Sequence, residues 1–353
     1  MNGRERVIRA LRCERPDRAP RDLWALPGIG MYRQGELDAM LRRFPLDITK
    51  PRAQYGRGKR ERGTPHAVGA YTDAWGCVWH VAEPGVVGEV KGPPLADWSA
   101  LQSYKPPVEI IDNADFSRAR DNAAPDTALY STGQGAGLST LQGASDSFVL
   151  AGTTVRPFER MQFLRGTEAL FIDLAYETAD LFKLRDMLHE FFLRELELWC
   201  RTDVDGISFM DDWGAQNALL ISPKQWRVLF KPLYKDYVDL IHAASKFAFF
   251  HSDGHIMEIY PDLIEIGVDA VNSQLFCMDI KEIGRLCRGK IAFWGEIDRQ
   301  GILPFGTPED VRAAVRRVRA ALDDGVGGVF AQCEWGNDVS AQNVAAVFET
   351  WME

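Results

Sequence analysis

The chain changes texture near residue 128, where short apolar runs begin to alternate with longer amphipathic stretches. The runs lie at 128–130, 148–151, 206–210, 247–250, 270–272, 291–294 and 328–331. A short apolar run bounded by turn residues reads as a strand buried on both faces. Phe247-Ala-Phe-Phe250 is the plainest of them, and it runs straight into His251, Ser252, Asp253 and Gly254. The stretches between carry helix-start signals. Ser222-Pro-Lys-Gln225 and Thr307-Pro-Glu-Asp310 each place a hydroxyl at the N-cap and proline at the first helical position. Behind the second, Val311, Val315, Val318 and Leu322 recur at helical spacing, and Gly325, Gly327 and Gly328 end the pattern. Alternating βα units of this length predict a parallel sheet. Six or seven of them favour an α/β fold of the (β/α)8 type, a TIM barrel, over an open doubly wound sheet. No Gly-x-Gly-x-x-Gly follows a strand, and there is no P-loop.

The N-terminal third reads differently. Residues 4–12 predict a short helix stopped by Pro16 and Pro20. Trp24, Pro27, Gly28, Gly30 and Tyr32 suggest a loop over 21–35. Residues 71–91 alternate and are rich in aromatic and β-branched side chains, as in a β-hairpin turning near Pro84-Gly85. Pro93, Pro94, Trp98, Pro106 and Pro107 then mark an irregular connection. Such a segment suits a lid better than a self-contained core. The expectation is a single domain over 1–353, with an N-terminal elaboration to about residue 110 covering the barrel mouth.

Composition narrows the function. The 46% hydrophobic content suffices for a sizeable core, and the formal charge of −9 gives no reason to expect nucleic acid. No apolar run approaches the length of a membrane span. The six cysteines are scattered, with no Cys-x-x-Cys, and the first residues hold no signal-peptide core. Reduced thiols and a cytoplasmic location are expected. The cluster Arg57, Lys59, Arg60 and Arg62 reads as a solvated loop or as a contact for an anion.

In a parallel barrel the ligand site lies at the C-terminal edge of the strands. The late runs deliver polar residues to that edge: Asp211, Asp212 and Trp213, then His251 and Asp253, then Asn272 and Gln274, then Glu296 and Asp298, and finally Cys333 and Glu334. Zinc takes nitrogen, sulfur and carboxylate ligands. His251, Glu296 and Cys333 would supply one of each as metal ligands, with Asp253 as a fourth. The plainer readings are a hydrogen-bonded loop histidine and a buried cysteine acting as a small hydrophobe. Asp211 and Asp212 are candidates to bind a substrate hydroxyl or move a proton, or to cap a loop. Asn272 and Gln274 could orient a substrate or tie loops together. Trp24, Trp75, Trp213 and Trp335 could wall an aromatic pocket or serve the core. His255 reads as solvent-facing, and Arg160 and Arg165 as surface pairs.

Several longer stretches resemble the uroporphyrinogen decarboxylase superfamily, and within it the methyltransferase branch that serves corrinoid proteins. They are Arg4-Glu-Arg-Val-Ile-Arg-Ala-Leu with Pro16-Asp-Arg, Phe44-Pro-Leu-Asp47-Ile, Asp73-Ala-Trp75-Gly76-Cys-Val-Trp79 and Gly92-Pro-Pro-Leu. Later come Asp211-Asp-Trp-Gly214, His251-Ser-Asp-Gly254, Pro261-Asp-Leu-Ile-Glu-Ile-Gly-Val-Asp269 and Phe293-Trp-Gly-Glu-Ile-Asp298. The resemblance implies a (β/α)8 barrel. The decarboxylases carry an N-terminal Arg-Gln-Ala-Gly-Arg stretch; here Arg33-Gln34-Gly35 is the nearest sequence. The methyltransferases carry zinc on a His-x-Cys motif and a later cysteine. His251 and Cys333 match two of these, and Asp253 stands where the first cysteine is usual. An oxygen ligand in place of a thiolate leaves zinc a harder and stronger Lewis acid, which suits ether cleavage better than thiol methylation. The resemblance therefore implies a zinc-dependent enzyme that demethylates a small methylated compound, an aromatic methyl ether above all, and passes the methyl group to a corrinoid protein. The alternatives are a metal-free decarboxylase and a non-catalytic barrel that binds a corrinoid or tetrapyrrole. Catalytic roles fall to Asp211, Asp212 and Asp253, and substrate contacts to Trp24, Trp75, Trp213, Asn272 and Gln274.

Overall fold

The computed structural model describes residues 1–120 and 146–353, with the backbone of 124 and 125. The apolar run at 128–130 lies outside them. Eight strands carry the architecture: β1 Arg21–Ala25, β2 Ile48–Lys50, β3 Phe148–Gly152, β4 Gly206–Met210, β5 Phe247–Ser252, β6 Ala270–Ser273, β7 Ala292–Phe293 and β8 Ala331–Trp335. β2 to β7 form a continuous parallel sheet in sequence order, and β1 and β8 form a parallel pair. Two seams link the pair to the sheet. At one, Phe293 bridges Val329 in parallel, and its N–H donates to Gly328 O at 2.8 Å. At the other, one backbone bond joins Asp47 N–H to Arg21 O at 2.9 Å.

Side chains alternate across each strand, and here both faces are buried. One face points to an inner cluster of Trp24, Ile48, Phe148, Leu150, Phe249, Ala270, Ala292, Trp294 and Phe330. The opposite face, with Leu23, Val149, Ile207, Phe209, Phe250, Val271 and Cys333, packs into a larger cluster shared with the helices. This explains why the strands read as unbroken apolar runs. It also explains why β1 reads as a loop from sequence: it is five residues long, entirely buried, and holds Arg21 and Asp22. Helix Pro27–Tyr32 follows it directly. β8 lies three residues further along the chain than the apolar run 328–331 suggests.

The expected hairpin over 71–91 is a three-stranded antiparallel sheet, Gly69–Thr72, Val78–Val81 and Glu89–Gly92. It is held to helix Pro157–Arg165 by Arg160, which meets Asp73 at 3.1 Å, and by the Cys77 thiol on Phe163 O. Arg160 is thus a buried partner and also lies over the Trp75 ring. Arg165 pairs with Asp173 at 2.7 Å. No helix among the described residues is long and apolar enough to cross a membrane.

The thin β1–β2 seam is reinforced by one carboxylate. Asp47, 3% exposed, accepts from Arg6 at 2.5 Å, from both terminal nitrogens of Arg18 at 2.6 and 3.1 Å, and from the Arg21 N–H at 2.7 Å. Removing one side of a buried, hydrogen-bonded ion pair leaves an uncompensated charge. Asp47→Ala should therefore cost about 3 kcal/mol or more of stability, read from urea denaturation; a loss under about 1 kcal/mol, the scale of an exposed pair, would contradict this role.

Candidate metal centre

His251 is the penultimate residue of β5, in register with Met210 on β4 and Asn272 on β6. Its parity matches that of Phe249, so the imidazole points to the barrel interior, where it is 4% exposed. The Asn272 side chain explains its orientation. The Asn272 amide nitrogen donates to the Trp294 backbone carbonyl at 2.5 Å, which turns the amide oxygen toward His251 Nδ1 at 2.7 Å. A carbonyl oxygen accepts only, so Nδ1 carries the proton. Nε2 then faces two carboxylates, Asp212 at 3.6 Å and Asp253 at 3.5 Å.

These two acids meet because the loops after β4 and β5 touch backbone to backbone. Gly214 N–H donates to Asp253 O, and Asp253 N–H to Asp212 Oδ1, at 3.0 and 2.9 Å. A Cβ added at Gly254 (φ +76°) would stand 2.0 Å from Gly214 O, so the approach needs glycine there. Burial pushes the Asp212 carboxyl up, the Asp253 charge adds to this, and His251 opposes it. Asp253 Oδ1 is buried without a hydrogen-bond partner, while Oδ2 accepts from Arg299. Among the described residues, Asp212, His251 and Asp253 form a group of metal-donor side chains with ligand atoms within 4.8 Å of one another. Nε2 faces two acidic oxygens. That arrangement needs a cation, or a second proton on the ring, between them.

The other expected residues fall in different places. Glu296 is buried near Arg299, whose Nε stands 3.9 Å from it, and lies outside the three-residue group. Burial pushes its carboxyl well above the usual range; Arg299 opposes this, and Asp253 and Glu334 add to it. Cys333 sits inside β8 rather than after it, level with Leu23 of β1, and points away from the interior into the helix-side cluster. Burial pushes its thiol far up, as expected of a packed hydrophobe. Asp211 also faces outward. It accepts from the N–H groups of Phe158 and Glu159 and from the Tyr234 hydroxyl, each at 2.7 Å, which makes it the cap of helix Pro157–Arg165. Burial pushes its carboxyl up to about 7, against the pull of those three donors.

Of the tryptophans, Trp24 lies at the centre, 5.2 Å from the His251 ring and 4.9 Å from Trp294. Both indoles donate to Asp22, at 3.1 and 2.7 Å. Trp213 stacks on Phe158 in the helix layer, Trp75 packs on Phe191, and Trp335 is fully buried with its indole on Val339 O. Gln274 ties the loop after β5 by accepting from Gly254 N–H at 2.8 Å. His255 stands 3.5 Å from Glu258.

Arg299, Arg156 and Glu159 stand in no pattern that marks a site, and Glu334 is marked only by its place near a strand end. Inward parity from Phe330 through Gln332 points to Glu334. Arg156 and Glu159 flank the Asp pair: Arg156 meets Glu159 at 3.8 Å, and burial with the Asp212 and Asp211 charges pushes the Glu159 carboxyl up to about 8.

The profile of the uroporphyrinogen decarboxylase (URO-D) family matches residues 107–353, and the chain belongs to this family. Among solved structures it is similar to a methyltransferase from Methanosarcina mazei, at 15% identity and a TM-score of 0.65, covering 100% of this chain and 98% of that one. That likeness and the family agree on a TIM-barrel fold. A glycosylated endo-β-1,4-xylanase from Gloeophyllum trabeum matches far more loosely, at 10% identity and a TM-score of 0.38 over 60% of this chain and 77% of that one. No curated protein sequence matches the chain.

Two outcomes test the geometry. Asn272→Leu removes the acceptor at Nδ1, so the ¹⁵N resonances of His251 should move from the Nδ1-protonated tautomer toward a mixture; unchanged resonances would refute the lock. Cys333→Ala should leave bound metal unchanged while lowering stability, and a loss of metal with stability intact would put the thiol back among the ligands.

Proposed function

We propose that the chain is a metal-dependent methyltransferase that demethylates a small methylated compound, an aromatic methyl ether above all, with a corrinoid protein as acceptor. The observation that carries this reading is the His251 imidazole, locked by Asn272 with Nε2 turned toward Asp212 and Asp253. Nitrogen and carboxylate oxygen are both zinc ligands, so the residues fit that ion. Asp212, His251 and Asp253 would hold it, and bound zinc would polarise the oxygen that loses its methyl group. The fold likeness to a methyltransferase supports the same class of reaction but leaves substrate and acceptor to the chemistry of the site.

The protein's own groups have distinct tasks. Trp24 and Trp294, anchored on Asp22 and set edge to face, give the floor beneath His251 an apolar, aromatic character. Burial is the chief cause that raises the carboxyls of Glu159, Glu296 and Glu334, and Glu159, pushed up to about 8, is the group able to hold a proton at neutral pH. In the transfer, the C–O electron pair stays on oxygen, which takes a proton from Glu159 or from solvent, and the acceptor supplies the pair for its new bond to carbon. The antiparallel sheet of residues 69–92 brings Gly85 against Gly28 and Met31, at the end of β1, and also rests on helix Pro157–Arg165. A segment spanning those two places is suited to cover the mouth and exclude water.

The test is metal content, measured beside methyl release from an aryl methyl ether with a reduced corrinoid acceptor. His251→Ala should weaken zinc binding by about 100-fold or more. Asp253→Cys should keep zinc, since thiolate is a good ligand, yet cleave the ether more slowly, since thiolate lowers Lewis acidity. Equal rates at equal zinc content would defeat the Lewis-acid argument. A parent protein that takes up no metal and releases CO₂ from a porphyrinogen would belong with the decarboxylases instead.

A further inference from the structure

We infer that Arg299 is a positioning residue: its guanidinium ties one oxygen of Asp253 and thereby leaves the other facing His251. The inference rests on the metal-site reading above and deepens it. Arg299 lies in the loop that leaves β7. Asp298 shapes that loop, its carboxylate accepting the N–H groups of Gln300 and Gly301, both at 3.0 Å, and of Ile302 at 3.3 Å. The turn sends Arg299 back toward the barrel mouth. Its Nη2 donates to Asp253 Oδ2, its Nη1 donates to Glu334 Oε2 at 2.9 Å, and its Nε stands 3.9 Å from Glu296 Oε1. Acids from the ends of three strands, β5, β7 and β8, therefore converge on one rigid fork.

The result is an asymmetric Asp253. Oδ2 is held by the guanidinium. Oδ1 is buried, lacks a hydrogen-bond partner, and lies 3.5 Å from His251 Nε2. A carboxylate with both oxygens free can grip a cation through two atoms, whereas this one offers a single atom. The planar guanidinium can engage two acids in fixed directions; a lysine ammonium is a point charge and cannot. Without the fork, Asp253, Glu296 and Glu334 would repel one another, and Asp253 would turn.

Charge and geometry separate in two variants. Arg299→Met removes both, while Arg299→Lys keeps the charge and loses the fork. Cobalt(II) is the probe, because the intensity of its visible bands reports coordination number, and zinc affinity is measured by competition with a chromophoric chelator. Both variants should weaken the cobalt bands as Asp253 engages through two oxygens. Both should raise the zinc Kd by about 10–100-fold. Asp298→Ala, which loosens the loop but keeps Arg299, should shift the bands in the same direction and serves if the Arg299 variants fail to fold. Parent-like spectra and affinity in Arg299→Lys would show that charge alone matters and would overturn the inference, as would parent-like behaviour of Arg299→Met. In either case the metal-site reading survives. A parent protein that binds neither cobalt nor zinc overturns both.

Discussion

Each strand of the parallel ring must satisfy two cores at once, and alternation of side chains is how it does so. Residues of one parity fill the interior with Trp24, Phe249, Trp294 and Phe330, and those of the other parity meet the helices. A shift of one residue would exchange the two sets. The same alternation decides which polar residues reach the site. His251 and Glu334 carry the inward parity, while Cys333 and Asp211 carry the outward one. The chemistry of the mouth is therefore a consequence of packing in the middle of the barrel.

The site concentrates acids. Asp212 and Asp253 face His251, and Arg299 joins Asp253 to Glu296 and Glu334. Like charges this close and this buried push carboxyls toward the protonated form unless a cation intervenes. Burial dominates the upward shifts at Asp212, Glu296 and Glu334. The His251 orientation adds a directional element to this charge balance, because Asn272 takes the Nδ1 side and turns Nε2 toward the acids. A divalent cation would answer both demands.

Far from the mouth, a second polar cluster closes the ring. Asp47 gathers Arg6, Arg18 and the Arg21 N–H where β1 and β2 share one backbone bond. The two clusters differ in kind. At Asp47 each acceptor has its donors, whereas at Asp253 one buried oxygen has none. The Asp47 cluster holds the fold together, whereas the free oxygen of Asp253 stands beside His251 Nε2, where a cation would find it.

Much was legible from the sequence alone. Apolar runs marked β3 to β7, helix caps at Ser222 and Thr307 are present with their side-chain bonds, and the run Phe247–Phe250 leads into His251 and Asp253, two members of the candidate metal group. Motifs such as His251-Ser-Asp-Gly254 pointed to the family. These are local signals, and they survive because a strand's burial and a helix's cap depend on near neighbours. β1 was hidden because its five residues include an arginine and an aspartate whose burial depends on partners elsewhere in the chain. The direction of Cys333 needed the true start of β8, since one residue of register reverses which face a side chain takes. The proton on His251 Nδ1 required Asn272, 21 residues away, and Trp294 O, 22 residues beyond that. Arg299 gained its place only because three strand ends converge on one loop. Contacts of that kind are set by the closure of the ring, which no local pattern of residues encodes.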